Sequence, residues 1–148
     1  MTAGEQLKIT PQIINFFTAL PGATLFNQYG PTETHVVTQL VLQGDPSEWP
    51  ALPTIGTPID NTAAWILDPD DESKSMLPDG STGELCFSGA CLSEGYLHSP
   101  ELTAHKYQQW EHPGIGELRI YRTGDLARFL PDGNIEFLGR MEIGRAHV

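Results

Sequence analysis

TPQIINFFTALPGATLFNQYGPTE, residues 10–33, spells a helix, a strand and a tight turn in succession. Thr10 can cap the helix, and Pro11 suits its first position, where a missing N–H costs nothing. Ile13, Phe16, Phe17 and Leu20 recur at helical spacing, and Pro21-Gly22 ends a helix of about three turns. ATLFNQY follows as a short strand ending at Tyr29. Gly30 is permissive and Pro31 fixes its own φ, so GPTE turns. Thr32 and Glu33 then lie at a strand's carboxyl end, where ligands bind in open α/β sheets.

Moving outward, THVVTQLVL reads as another strand through its β-branched residues, and the Pro-rich stretch 45–58 reads as loop. The remainder is β-dominated. AAWILD, GELCFSG, LRIYRTG, DLARFL and NIEFLGR are short strands between turn clusters, and PELTAHKY is a brief helix. LPDG occurs at 77–80 and again at 130–133; Pro-Asp-Gly is turn chemistry, so two similar hairpins are expected. The expected fold class is mixed α+β: a small α/β portion from Met1 to about Leu42, then a β-rich portion from about Ala51 to Arg140.

At 148 residues the chain is long enough for one domain that buries roughly 68–70% of its unfolded surface. Twelve Pro and fifteen Gly make it turn-rich, while 39% hydrophobic residues support a core. A formal charge of −11 argues against nucleic-acid binding, which needs a basic surface. Neither a membrane span nor a secretory leader is legible, so a cytoplasmic location is expected. Cys86 and Cys91 form a lone CxxxxC pair that suits neither a disulfide scaffold nor a zinc site, and both read as reduced packing residues.

Several segments could carry chemistry. No GxxxxGK[ST] loop is present, so a nucleotide site would need another phosphate grip. NQYGPTETH offers one. The Thr32 hydroxyl can bond a phosphate oxygen, the Glu33 carboxylate can hold Mg²⁺ as a hard ligand, and the Tyr29 ring can stack on a base. The competing reading is an ordinary turn. In RTGDL, ionised Asp125 is acceptor-only and could take both ribose hydroxyls. Gly83, Gly89 and Gly95, six apart, fit close strand crossings better than a phosphate loop. His98, His105 and His112 recur at seven-residue intervals, but Pro100 and Pro113 break any continuous helix through them, so no metal cluster is expected, and the acidic run Asp68–Glu72 reads as solvated surface.

Taken in order, TAGEQL, NQYGPTETH, IGTPIDNTAAWILD, GELCFSGACLSEGYL and YRTGDLARFLPDGNIEFLGR resemble the adenylate-forming superfamily. The closest likeness is to the amino-acid adenylation domains of nonribosomal peptide synthetases, and it spans almost the whole chain. The resemblance implies a reaction in which an amino acid's carboxylate and ATP give aminoacyl-AMP and pyrophosphate. A carrier protein's phosphopantetheine thiol then takes the aminoacyl group. ATP and Mg²⁺ are the implied ligands; the implied partners are the carrier-protein and condensation domains of the same assembly line, with no nucleic acid and no membrane.

Carried over position by position, the resemblance sets Gly4 along the adenine site, Asn27 in a hydrogen bond to adenine and Tyr29 stacked on it. Thr32 meets phosphate, Glu33 holds magnesium, and Asp125 and Arg140 hold the ribose. Phe137 stands where the family commonly has tyrosine, keeping a ring but losing a hydroxyl. Ala3, Gln28, Val36 and Val37 fall at substrate-pocket positions. The chain is thus expected to be an incomplete piece of the family's large N-terminal domain, a distorted barrel in its β-rich part. Residues 1–142 belong to it, with Glu142 at the position of the usual hinge Asp, and 143–148 form a non-native tail, because IGRAHV stands where a QVKIRG-like strand is usual. The family's upstream phosphate loop and C-terminal lysine fall outside the piece, so the isolated chain is expected not to adenylate. The alternatives are a fragment of an acyl-CoA or aryl-acid ligase, or a non-catalytic β-rich module.

Overall fold

A computed structural model describes residues 6–141. The first helix, α1, runs Pro11–Thr18, with the Thr10 hydroxyl accepting the Ile13 N–H. It spans two turns, not three, because Ala19 closes it and Leu20 and Ala23 continue as turns ahead of the next strand. Strand β1 (Leu25–Tyr29) pairs antiparallel with β2 (Thr38–Leu42), and β2 with the two-residue β3 (Thr57–Pro58). β2 starts four residues later than THVVTQLVL suggests. Thr34 to Val37 turn back onto β1, with His35 at φ 56° and the Val37 N–H donating to the Tyr29 carbonyl at 2.8 Å. Because this sheet is antiparallel, the carboxyl-end rule for parallel sheets does not explain the position of GPTE.

The second sheet has the order β4 (Thr62–Leu67), β5 (Gly83–Gly89), β7 (Gly116–Phe129), β6 (Tyr107–His112), with β8 (Ile135–Arg140) also on β7. Helix α2 (Pro100–Lys106) leads directly into β6. LRIYRTG and DLARFL are therefore one strand, β7, bent at Thr123-Gly124-Asp125. There the register slips against β5 between Glu84 and Cys86, and against β8 between Leu126 and Ala127. The second LPDG makes the β7–β8 hairpin; the first is a turn, with Gly80 at φ +90°, in the long β4–β5 connection.

The two sheets join at Ile135, whose N–H donates to Gly56 and whose carbonyl accepts from Ile55. Around this seam lies the main core: Tyr29, Val37, Ile55, Ile66, Leu85, Phe87, Ala127, Ile135 and Phe137. Every residue of β5 but its last is buried, because both faces of the strand are covered. A second cluster, Leu67, Cys86, Trp110 and Ile120, fills its other side. Both cysteines are free, Cys86 inside this cluster. Gly83 and Gly89 lie against the backbones of Leu67 and Asn61, as close strand approach requires. Among the described residues no helix is long and apolar enough to cross a membrane.

Candidate functional site

The bend in β7 presents Asp125. The Thr123 hydroxyl donates to the Leu85 carbonyl at 2.6 Å and accepts the Asp125 N–H at 3.0 Å, while the Gly124 N–H donates to Glu84 Oε2 at 3.1 Å. Glu84 is buried and held in turn by Arg122 at 2.9 Å. A bulge re-aims a side chain, and here the backbone groups it would orphan are satisfied by Thr123 and Glu84.

Asp125 is only 3% exposed, and a carboxylate this deep needs partners. It has two. Arg140 Nη1, at the end of β8, donates to Oδ1 at 2.8 Å and also to the Thr123 carbonyl at 2.8 Å. Tyr29 Oη, at the end of β1, donates to Oδ2 across 96 positions of sequence. Burial, then the Asp125 charge, push the Tyr29 phenol well above its ordinary pKa, so it stays a donor. Tyr29 is 7% exposed, with the Phe87 and Phe137 rings at 6.2 and 6.0 Å. Arg140, with 58% of its side chain exposed, is the open wall of the group.

Glu33 anchors a second group in the Gly30–Val36 loop. Tyr96 Oη and Tyr121 Oη each donate to Glu33 Oε2 at 2.7 Å, and Tyr107 Oη donates to the Glu33 carbonyl at 3.4 Å. Burial alone would raise the Glu33 pKa, but the Tyr96 and Tyr121 hydroxyls outweigh it and hold the carboxyl below its usual range. Tyr96 itself is pushed up to about 12, mainly by burial. Oε1 accepts no hydrogen bond from another described residue. A single hard oxygen of this kind fits Mg²⁺, which is commonly bound through one or two carboxylates plus phosphates and waters. Among the described residues no three His, Cys, Asp or Glu side chains gather as a protein-only metal cage.

The other sequence-nominated residues are distributed unevenly. Asn27 is buried on the same face of β1 as Tyr29, its amide nitrogen donating to the Thr54 carbonyl at 2.8 Å. Gln28 lies on the opposite, exposed face, paired with Gln39 at 2.7 Å. Thr32 is exposed and Val36 half-buried, whereas Val37 is fully enclosed in the core and presents no surface to a pocket. Phe137 packs in that core. Gly4 and Ala3 lie outside the described residues, as does 142–148. An open groove of about 590 Å³ beside the end of α1, lined by Phe17, Leu20, Pro21 and Gln43, contains none of these residues.

Tyr96, Tyr121, Thr123 and Glu84 escaped the sequence reading. Tyr121 sits directly before RTGD, but a tyrosine at an alternating strand position reads equally as core, which at 1% exposure it also is.

Comparison with known proteins agrees with this architecture. The adenylation and carrier-domain protein PA1221, described as a nonribosomal peptide synthetase protein, superposes with a TM-score of 0.78 at 32% identity, over 93% of this chain and 27% of that one. The N-terminal subdomain of Klebsiella oxytoca NpsA, solved in complex with 3-hydroxybenzoyl-AMSN, gives 0.74 at 25% identity, over 93% of this chain and 34% of that one. In sequence, tyrocidine synthase 2 of Brevibacillus parabrevis is 48% identical over 96% of this chain, and bacitracin synthase 3 of Bacillus licheniformis 40% over 94%. The chain spans only 4% and 2% of the length of these two relatives. Fold and sequence thus define part of an adenylation domain of the nonribosomal peptide synthetase kind. The chain belongs to the AMP-binding enzyme family, whose model matches residues 1–97.

Proposed function

We propose that this chain supplies the ribose- and magnesium-binding part of an adenylation domain that activates an amino acid with ATP for loading onto a carrier protein. The observation that carries the reading is the convergence of Tyr29, Asp125 and Arg140 from three strands on one buried carboxylate. Each Asp125 oxygen has one internal donor and retains a lone pair, so the carboxylate can accept both ribose hydroxyls while Arg140 shields it. The Tyr29 hydroxyl fixes Asp125 while its ring stacks on adenine; Asn27 hydrogen-bonds the base, and Gly4 is assigned to the adenine site by the family likeness alone.

Thr32 faces the phosphates, and Glu33 holds Mg²⁺, which offsets charge on the phosphates as pyrophosphate departs. Gln28, Val36 and Ala3 border the amino acid, and Val37 backs them from the core. Residues 1–142 are the domain portion, and 143–148 lie outside it. The thiol that receives the aminoacyl group belongs to the phosphopantetheine arm of the carrier protein.

Amino-acid-dependent ATP–pyrophosphate exchange in the synthetase that carries this sequence tests the reading. Glu33→Ala should depress kcat by on the order of 10²–10³, the usual cost of removing one transition-state electrostatic contact. Exchange unaffected by Glu33→Ala would overturn it.

A further inference from the structure

Both lone pairs of Glu33 Oε2 are committed. Tyr96 Oη, from the loop before α2, and Tyr121 Oη, from the middle of β7, reach it at the same 2.7 Å. Tyr121 is fixed by burial, and Tyr96 by its backbone N–H, which donates to the Thr103 hydroxyl at 2.8 Å. The Tyr121 ring is fully buried and packs 4.9 Å from the Tyr107 ring, which lies 5.9 Å from Tyr96; the Tyr107 hydroxyl meets Ser93 Oγ at 2.6 Å and the Glu33 carbonyl. Two tyrosines therefore hold the Glu33 carboxylate, and a third holds its backbone carbonyl. A carboxylate has about four lone-pair sites, and this clamp removes the two on one oxygen.

We propose that Tyr96 and Tyr121 are positioning residues that confine Glu33 to single-oxygen coordination and so select a small octahedral cation over Ca²⁺. The inference rests on the reading of Glu33 as the magnesium ligand. Ca²⁺ takes six to eight oxygens and gains from bidentate carboxylates, whereas Mg²⁺ demands near-ideal octahedral geometry and is satisfied by one oxygen with phosphates and waters. A Glu33 free to rotate and offer both oxygens would serve Ca²⁺ better. With Oε2 held by two phenols, only Oε1 remains.

The test is a binding measurement on the synthetase carrying this sequence, with ATP present. Mn²⁺ serves as the octahedral probe, its binding read as the loss of free-ion EPR signal beyond that caused by ATP alone, and Ca²⁺ is the competitor. In Tyr96→Phe, Tyr121→Phe and the double variant, Mn²⁺ affinity should fall by about tenfold, the lower end of the cost of losing a partner to a metal ligand. The Ca²⁺ concentration that displaces half the Mn²⁺ should fall further than that loss alone requires.

An unchanged Ca²⁺-to-Mn²⁺ preference in the variants would overturn the inference. Tyr96→Phe, in a half-buried loop, keeps the test open should the buried Tyr121→Phe fail to fold. Wild-type protein that binds Mn²⁺ no better than Glu33→Gln would instead sink the magnesium reading, and this inference with it.

Discussion

Tyr29 shows how one atom changes a residue's expected role. From sequence its ring is the useful part, and loss of the hydroxyl should be mild. In the fold the hydroxyl donates to Asp125 Oδ2, and both groups are buried. Tyr29→Phe keeps the ring's contacts with Phe87 and Phe137 but leaves a buried carboxylate oxygen without its donor. Such an orphan costs about 1–3 kcal/mol, more when charged. Urea unfolding should therefore show a lowered midpoint for Tyr29→Phe at pH 7. A midpoint equal to wild type would mean that Asp125 finds water or another donor and that the Tyr29 hydroxyl is dispensable.

Among the elements, the loop between β1 and β2 and the bend in β7 do the positioning. Gly30 has no room for a side chain, because a Cβ there would run into the His35 carbonyl and the Val36 backbone. Close backbone approach is what lets the chain reverse within the Gly30–Val36 loop and set Glu33 under Tyr96 and Tyr121. Gly30→Ala should destabilise by about 2 kcal/mol, within the range of single changes that force backbone to move. It should also weaken Mn²⁺ binding with ATP, since the loop that carries Glu33 shifts. Normal stability together with normal Mn²⁺ binding would show that the loop has slack the close approach denies.

In β7, Gly124 sits at φ +75°, and a Cβ there would lie 3.0 Å from Arg140 Nη2. TGD reads in sequence as a strand end because its glycine and turn-like composition interrupt the alternation. It is instead a bulge within one long strand, satisfied by Thr123 and Glu84, and only the tertiary partners reveal that.

At the scale of the molecule, elements built on local signals were legible and contacts between distant ones were not. The capping Thr10-Pro11 pair, the apolar run of β5, the alternation of β8, and the Pro-led α2 all express nearest-neighbour chemistry, and each lies within a few residues of its expected place. β6 is not legible in YQQWEH, which has no β-branched residue; its strand character comes from Tyr107 and Trp110, buried on opposite faces, while β7 supplies the ladder. For the site, Tyr29, Glu33, Asp125 and Arg140 were nominated by motif. Their pairing, the tyrosine clamp and the burial of Val37 depend on how the two sheets meet at Ile135, which no local pattern encodes.

The central claim is that Asp125, fixed by Tyr29 and Arg140, holds the ribose of ATP. Ribose contacts are made equally in the ground and transition states, so their loss appears in KM and not in kcat. The most direct measurement is the kinetics of ATP–pyrophosphate exchange in the synthetase carrying Asp125→Ala, with folding checked by thermal unfolding. Hydrogen bonds to a charged group are worth about 1.5–3 kcal/mol, so the KM for ATP should rise by about tenfold or more while kcat stays near wild type. A folded Asp125→Ala variant with an unchanged KM for ATP would contradict the account.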